Sequence, residues 1–548
     1  MKYLIILSLS LISLSASAQN NGQVQWAWTG TYGSPTDNSI ANHLVVDDTS
    51  NLYIAGVFRG ELIVQTDTIY CNPNADHVFV AKFDSLGTLK WITRIDWGYY
   101  VNAIGLDSDN HLRVLCNAGT MIVYDNDGSP ITYYPVPNSI ADYNSAEPYG
   151  ITVDFKMDSL DNIYFLQNYD NIPADEMHAY TSVYSSPNDT LTALLWEDYV
   201  QIGLSAFPVG AAGIDVDNDL NVYVSGTTDF DLNIVGTEIV SNIMGTNSIF
   251  SYKYNSTGDA VWLATNENQF FSYMLGTGIN PIDSSYYFTG YTVMDEIYYG
   301  DTLTVDTTNQ QQIFLVKFDL DGNHEWSKPY PLETKTLKTY PNASWGAMGT
   351  HIQVSDVGNV YLKGSFTGSI IFNNDTLVED TSTVLVGYIA DDVFIAKLDE
   401  NGNPIWGKYG GNQGGNGLET GDFYVDPTTD NLFLVGYWTG PNNLNKTPTN
   451  GIQNIFLGKE GEPSTISVQE VSIKDEKILI YPNPTQGEVY ISMPPNFKKL
   501  EYTIVNVQGS VIQSGTISKS LQAIDLSEQS TGMYFMITDY GSIKINKY

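Results

Sequence analysis

The sequence predicts an all-β fold, and three observations predict it. Two short signatures alternate along residues 19–458, one repeat is divided between the two ends of that stretch, and closely spaced short strands follow it. Self-similarity at a regular period marks stacked structural units, so the repeats decide the architecture.

The first signature is an Asp-rich turn running into a strand. It reads VDDTSNLYIAG from Val46, VDNDLNVYVSG from Val216, VSDVGNVYLKG from Val354 and VDPTTDNLFLVG from Val425, with weaker copies from Leu106, Met157 and Ile282. Asp, Asn and Ser hydrogen-bond neighbouring backbone in tight turns, and the residues that follow suit a buried strand.

The second signature is a hairpin in which a Trp follows the turn glycine by four residues. It reads VFVAKFDSLGTLKW from Val78, IFSYKYNSTGDAVW from Ile249, IFLVKFDLDGNHEW from Ile313 and VFIAKLDENGNPIW from Val393. Alternation puts Phe79, Ala81 and Phe83 on one strand face, and Asp-Gly or Asn-Gly at a tip tolerates positive φ. Degenerate copies lie near Met121–Ile131 and Val183–Trp196. The last copy, Ile455–Gly458, stops before a Trp, while Gly22 and Trp26 near the other end have the missing spacing.

Both signatures count to seven. Units of this length fit four-stranded blades, so the expectation is a seven-bladed β-propeller in which the N-terminal strand completes the last blade and removes an open sheet edge. A linear solenoid gives no reason for the divided repeat. The signatures resemble those of the seven-bladed propeller family of large bacterial secreted proteins, which implies a fold and no particular activity.

After a polar linker at 459–472, residues 473–548 read as the short alternating strands of a small β-sandwich. Here Tyr481-Pro482-Asn483-Pro484 precedes Gly487, then come Val505–Gly509, Asp525-Leu526-Ser527, Gly532-Met533-Tyr534 and finally Lys544 to Tyr548, including Lys547. This ordered set resembles the type A C-terminal sorting domain of the type IX secretion system of Bacteroidota. The resemblance implies recognition by that export machinery, with no chemistry of its own.

The other end carries Lys2, an apolar run from Tyr3 to Leu14 and Ala16-Ser17-Ala18, the layout of a secretory signal peptide over 1–18. No later stretch is apolar for long enough to span a bilayer as a helix. The expected location is therefore secreted or at the outer cell surface, reached through the periplasm. In an oxidising compartment Cys71 and Cys116 could bridge neighbouring repeats or remain buried thiols.

The chain has 24 basic and 62 acidic residues, a net charge of −38. Residues 465–548 hold 7 basic and 8 acidic residues, so the excess belongs to the repeats. Such a surface repels phosphate backbones, which argues against nucleic-acid binding.

No histidine pair has zinc-ligand spacing, and no nucleophile elbow, phosphate loop or dinucleotide fingerprint occurs. Asp215, Asp217 and Asp219 alternate as Ca²⁺ ligands would, although Asp suits the same turn without metal. Asp-Ser or Asp-Thr followed by an apolar residue, as at Asp67, Asp84, Asp158, Asp189, Asp301 and Asp375, looks like the O-glycosylation sequon of the same bacteria, and common descent of the repeat explains the recurrence equally well. The functional expectation is a non-catalytic binding or adhesion scaffold for an extracellular glycan or protein. Its alternative is an extracellular hydrolase or lyase acting on polysaccharide or peptide at one mouth of the propeller.

Overall fold

The computed structural model of the chain is all-β. It describes residues 26–547 apart from 138–148, 204–209, 239–247, 266–271, 304–311, 331–346, 379–391, 411–417, 440–452, 461–468 and 493–498 and stretches of up to four residues. The leader and the Gly22 half of the divided repeat lie outside the described residues. The chain separates into two compact units, with the break between Gly458 and Lys459; Gln25–Trp28 group with the second.

Strand β1 is Trp26–Tyr32. The first sheet comprises β2 (Ser39–Val46), β3 (Leu52–Phe58), then after the hairpin β4 (Glu61–Val64) and β5 (Asp67–Tyr70), β6 (His77–Phe83) and β7 (Leu89–Ile95). The second comprises β8 (Val101–Leu106), β9 (Leu112–Cys116), β10 (Thr120–Tyr124) and β11 (Pro130–Pro135); the third, β12 (Tyr149–Met157), β13 (Ile163–Asn171), β14 (Glu176–Ser185) and β15 (Ala193–Gly203). In the fourth, β16 (Gly210–Val216) and β17 (Val222–Thr228) precede the hairpin β18 (Asn233–Ile234) and β19 (Thr237–Glu238), followed by β20 (Ser248–Tyr254) and β21 (Ala260–Thr265). The fifth repeats that plan with β22 (Ser272–Ile279), β23 (Tyr286–Thr292), hairpin β24 (Glu296–Tyr298) and β25 (Asp301–Leu303), β26 (Gln312–Phe318) and β27 (His324–Tyr330). So does the sixth, with β28 (Ala347–Val354), β29 (Val360–Phe366), hairpin β30 (Ser369–Phe372) and β31 (Asp375–Val378), β32 (Asp392–Leu398) and β33 (Pro404–Gly410). The seventh runs β34 (Leu418–Val425), β35 (Leu432–Thr439) and β36 (Gln453–Glu460), with β1 beside β36 as its fourth strand.

The first strand of each sheet lies against the first strand of the next, from β2 through β8, β12, β16, β22 and β28 to β34. Strand β34 in turn lies against β2. The second and third strands are buried almost throughout, as in LYIAGVF of β3 and HVFVAKF of β6. That double-sided burial explains why both signatures are nearly continuous apolar runs.

The conserved spacing inside each repeat has a direct physical cause. In the first signature one carboxylate organises the turn: Asp217 accepts hydrogen bonds from the amides of Asp219 and Asn221 (both 2.9 Å), from Asn221 Nδ2 (2.8 Å) and from the Tyr223 hydroxyl (3.0 Å). Asp47 and Asp158 make the equivalent contacts with Asn51 and Tyr53, and with Asn162 and Tyr164. The lysine of the second signature lies over that tyrosine ring: Lys82 over Tyr53 at 4.6 Å, Lys253 over Tyr223 at 5.0 Å and Lys397 over Tyr361 at 5.3 Å. Such cation–π contacts allow an ammonium to be buried among aromatic side chains.

The tryptophan reaches across to the next sheet. Trp91, Trp196, Trp262 and Trp326 pack on the turn glycines Gly128, Gly258, Gly322 and Gly402 of the following hairpins, where a Cβ would lie 2.5–2.7 Å from an indole atom. Trp262 Nε1 and Lys253 Nζ both donate to the Leu320 carbonyl in the fifth sheet, at 3.2 and 3.1 Å. Each glycine therefore satisfies two demands, a positive φ and contact with a flat ring.

The hairpin inserts serve the outer edges. Gln65 at the tip of β4–β5 donates to Gly87 O and accepts from Leu89 N, and Asn373 donates to Ile405 O. These contacts cover outermost strands that would otherwise present an open ladder.

The second unit comprises β37 (Gln469–Ile473), β38 (Glu476–Tyr481), β39 (Glu488–Ser492), β40 (Leu500–Asn506), β41 (Val511–Ile517), β42 (Leu521–Asp525), β43 (Gly532–Thr538) and β44 (Gly541–Lys547). Its sheets, β37-β38-β39-β42 and β41-β40-β43-β44, share a core of Val489, Ile491 and Ile524 with Ile504, Met536 and Ile545. The segment read as a linker is partly strand, since β36 continues to Glu460 and β37 begins at Gln469.

The glycine–indole contact can be separated from φ by comparing two alanines. Gly322 has φ +80° and no room for Cβ beside Trp262, whereas Gly358 has φ +79° and only Glu400 Cβ within reach, at 3.9 Å. Gly358→Ala is expected to lower unfolding free energy by about 1 kcal/mol and Gly322→Ala by about 1–3 kcal/mol more. Urea unfolding of both variants checks this, and equal losses would remove the proposed role of the ring.

Candidate functional site

Among the described residues, the first strand of each four-stranded sheet in the repeat unit carries a β-bulge at a corresponding place. Register skips between Ala41 and His43, Val101 and Ala103, Thr152 and Asp154, Ala211 and Gly213, Met274 and Gly276, and Gly349 and His351; in β34 it skips from Thr420 to Phe423. Bulges re-aim side chains, and here they do so in all seven sheets.

The turn residues Asp47, Asp107, Asp158, Asp217, Asn280, Ser355 and Asp426 give a common frame, since the amide of each closes its turn. Four residues before them stand His43, Ala103, Asp154, Gly213, Gly276, His351 and Asp422. Two residues before them stand Val45, Gly105, Lys156, Asp215, Gly278, Gln353 and Tyr424.

Many of these side chains bond to the inner strand of the next sheet. His43 Nε2 is 3.2 Å from Val101 O, which requires that nitrogen to carry the proton. Thr277 Oγ1 donates to Asp215 at 2.5 Å, Gln353 donates to Phe423 O at 2.7 Å and accepts from Val425 N at 2.6 Å, and Leu44 N donates to Asp422 at 3.4 Å. Lys363 of β29, fully buried, donates to Gly421 O. The Cα of Asn42 would be only 2.2 Å from a Cβ at Gly421, so β34 approaches β2 at a residue that must lack a side chain.

Electrostatics links strands from several sheets. Lys156 pairs with Asp154 at 3.6 Å; that carboxylate, with Asp215 and Asp422, holds the ammonium above its ordinary range. Burial raises Asp215 and Asp422, opposed by Lys156 at the first and Lys363 at the second. Burial lowers His43, against the pull of Asp422. Enclosure and the cationic Lys363 hold His351 well below the usual imidazole value. Desolvation brings Lys363 down to about 8.

The sequence motifs weighed as sites fall elsewhere. Asp215, Asp217 and Asp219 do not converge: Asp217 is occupied by its own turn, Asp215 is turned to Thr277 and Asp219 is exposed. Among the described residues no group of three or more His, Cys, Asp or Glu side chains is arranged to hold a metal ion. The Cys71–Cys116 bridge is not made. Cys116 is sealed in the apolar cluster of Tyr53, Val78, Val80 and Val114, whereas Cys71 follows β5 with its thiol toward Phe58 O. Asp67, Asp301 and Asp375 each open the second strand of an insert hairpin.

In the second unit, Pro482, Asn483 and Pro484 lie outside the described residues. Tyr481 ends β38, Gly487 accepts from Leu526 N, and Gly532 opens β43. Tyr534 is buried opposite Asn506 and Ile545, and Lys544 pairs with Phe535. A parallel bridge joins Thr485 to Lys547, so the two ends of the motif set meet.

The inner layers were not recognised as a site from the sequence, although a signal existed. His43, Asp154, His351 and Asp422 share one offset from the turn residue, and polar residues recurring at one register of a buried strand mark a common position.

Residues 479–547 match the family described as the secretion system C-terminal sorting domain. The chain is therefore exported to the cell surface or the extracellular space. No helix among the described residues is long and apolar enough to cross a membrane. No curated protein matches the sequence.

Among solved structures, virginiamycin B lyase from Staphylococcus aureus is similar at 12% identity and a TM-score of 0.36, over 79% of this chain and 99% of that one. BamB from Moraxella catarrhalis is similar at 10% identity and a TM-score of 0.34, over 78% and 99%. PorZ, a surface component of the type IX secretion system of Porphyromonas gingivalis, is similar at 11% identity and a TM-score of 0.34, over 94% and 60%.

Two measurements follow from this geometry. A thiol reagent near pH 8 should modify one cysteine per folded chain, Cys71, and two after denaturation, because burial pushes the Cys116 thiol up to about 12. Fewer than two after denaturation without reductant would mean a bridge.

For Lys363, the folded value of about 8 lies below the model-compound value of 10.5, so the unfolded chain binds the proton more tightly. Below pH 8 both states are protonated and the cost of burying the charge is complete; between pH 8 and 10.5 it is relieved. Stability of the parent relative to Lys363→Met should rise across that window by up to about 3 kcal/mol. A difference independent of pH would mean that Lys363 is not buried as a cation.

Proposed function

We propose that the chain is an exported seven-bladed β-propeller, closed by β1, that acts as a binding or adhesion scaffold at the cell surface or outside the cell. A type A sorting signal delivers it through the type IX machinery. The partnering of β1 with β36 and the packing of β2 against β34 support closure.

The observation that carries the scaffold reading is how the inner polar groups are used. His43, Gln353, Lys363 and Asp422 bond to backbone groups of adjoining strands, which locks one sheet to the next. Groups held in this way build a rigid support for recognition. A net charge of −38 favours basic or cationic partners over anionic ones.

Two experiments test this reading. The chain from residue 19 to 548 should bind at least one member of a panel of polysaccharides and matrix proteins saturably and without product; product formation would favour a hydrolase or lyase. Deleting Asn20–Gly33 should lower the melting temperature by at least about 5 °C, since it removes a whole strand of ladder and its packing. An unchanged melting temperature would rule out closure by β1.

A further inference from the structure

We propose that the space among the inner strands beside Lys156 and His351 binds a neutral, hydroxyl-rich ligand, such as a hexose unit of a saccharide. The proposal rests on the scaffold reading and names its ligand class.

The two layers contain groups of two kinds. One kind is committed to the neighbouring strand, as Gln353 and Lys363 are. Other groups of the same layers reach solvent: the side chain of Lys156, paired with Asp154 at 3.6 Å, is 42% exposed, that of Asp154 is 27% exposed, and His351 is exposed. Asp154 and Lys156 on β12 and His351 on β28 occupy the same two layers of the first strands, which pack one against the next from β2 to β34 and from β34 back to β2. An ammonium, a carboxylate and an imidazole from different sheets thus border one solvated space.

Charge decides which ligands fit. Lys156 is surrounded by Asp154, Asp215 and Asp422, so an anion drawn to the ammonium would face three carboxylates. A cation drawn to those carboxylates would face Lys156 and Lys363. A hydroxyl meets neither penalty because it donates to carboxylates and accepts from the ammonium.

The imidazoles suit the same chemistry. Burial favours the neutral form of both rings, and because the His43 proton is used on Val101 O, the other nitrogen of that ring is an acceptor. Adjacent hydroxyls on a sugar ring present donors and acceptors at the spacing that interleaved Lys and Asp side chains can satisfy together. Recognition by buried hydrogen bonds of this kind discriminates strongly, because a poor match leaves polar groups unpaired.

Titration calorimetry of residues 19–548 against D-glucose, D-galactose, D-mannose, D-glucuronate and D-glucosamine tests the proposal. At least one neutral hexose should bind saturably below about 10 mM, with each charged sugar at least about tenfold weaker. Lys156→Met and Asp154→Asn should each weaken that binding by about tenfold while the melting temperature holds.

Should either variant fail to fold, the same hexose should protect Lys156 of the parent chain from acetylation, read by peptide mass. Preference for a charged sugar, no saturable neutral sugar, folded variants that bind as the parent does, or no protection would each overturn the proposal. Saturable capture of a polysaccharide or matrix protein that neither variant disturbs would overturn it too, and would leave the scaffold reading standing.

Discussion

A flat indole lying on a glycine turn is the contact on which the repeat unit depends. A four-stranded sheet buries its two central strands only if both faces are covered, and each neighbour must therefore hold its place. Trp262 on Gly322, with its Nε1 and Lys253 Nζ both donating to Leu320 O, ties the fourth sheet to the fifth through shape and hydrogen bonding at once. The same contact recurs from Trp91 to Gly128, from Trp196 to Gly258 and from Trp326 to Gly402. Within a sheet the Asp–Asn–Tyr turn and the lysine over the tyrosine hold the platform from which the tryptophan projects.

The inner edge poses a different problem. First strands expose backbone donors and acceptors that no fifth strand satisfies, and bulged side chains from the adjoining sheet meet part of that need. Gly213 in the fourth sheet lets Thr277 of the next first strand come close, whereas His43 and Asp422 reach across to Val101 O and Leu44 N. Repetition thus supplies a uniform frame, and departures from it at a single register supply chemistry.

The two units divide the work. The repeat unit carries the acidic excess and the inner polar layers, while the second unit carries the matched sorting domain with a nearly balanced charge. In the second unit, Gly487 must admit the Ser527 backbone, and Lys547 is buried beside Thr485. Gly487 and Lys547 of the motif set are thus also packing residues of this unit.

Much of the architecture was legible in the sequence because its turn contacts are local and the residues of its inter-sheet tryptophan contact recur at a fixed spacing. Asp217, Asn221 and Tyr223 meet within seven residues, and the Gly322–Trp326 spacing sits inside one hairpin, so each repeats as a readable string. The C-terminal motif set was legible as an ordered series of short strings, although the contacts that join them are long-range. The inner layers were not recognised, since residues such as His43 and Asp422 lie far apart in the chain and meet their partners only when β34 is set against β2 and β2 against β8. Tertiary structure alone also decided that Cys116 is sealed away from Cys71 and that Asp215 turns to Thr277 while Asp217 stays in its turn. Local hydrogen bonding writes itself into spacing, whereas the partner of a strand-borne side chain depends on which strand the fold sets beside it.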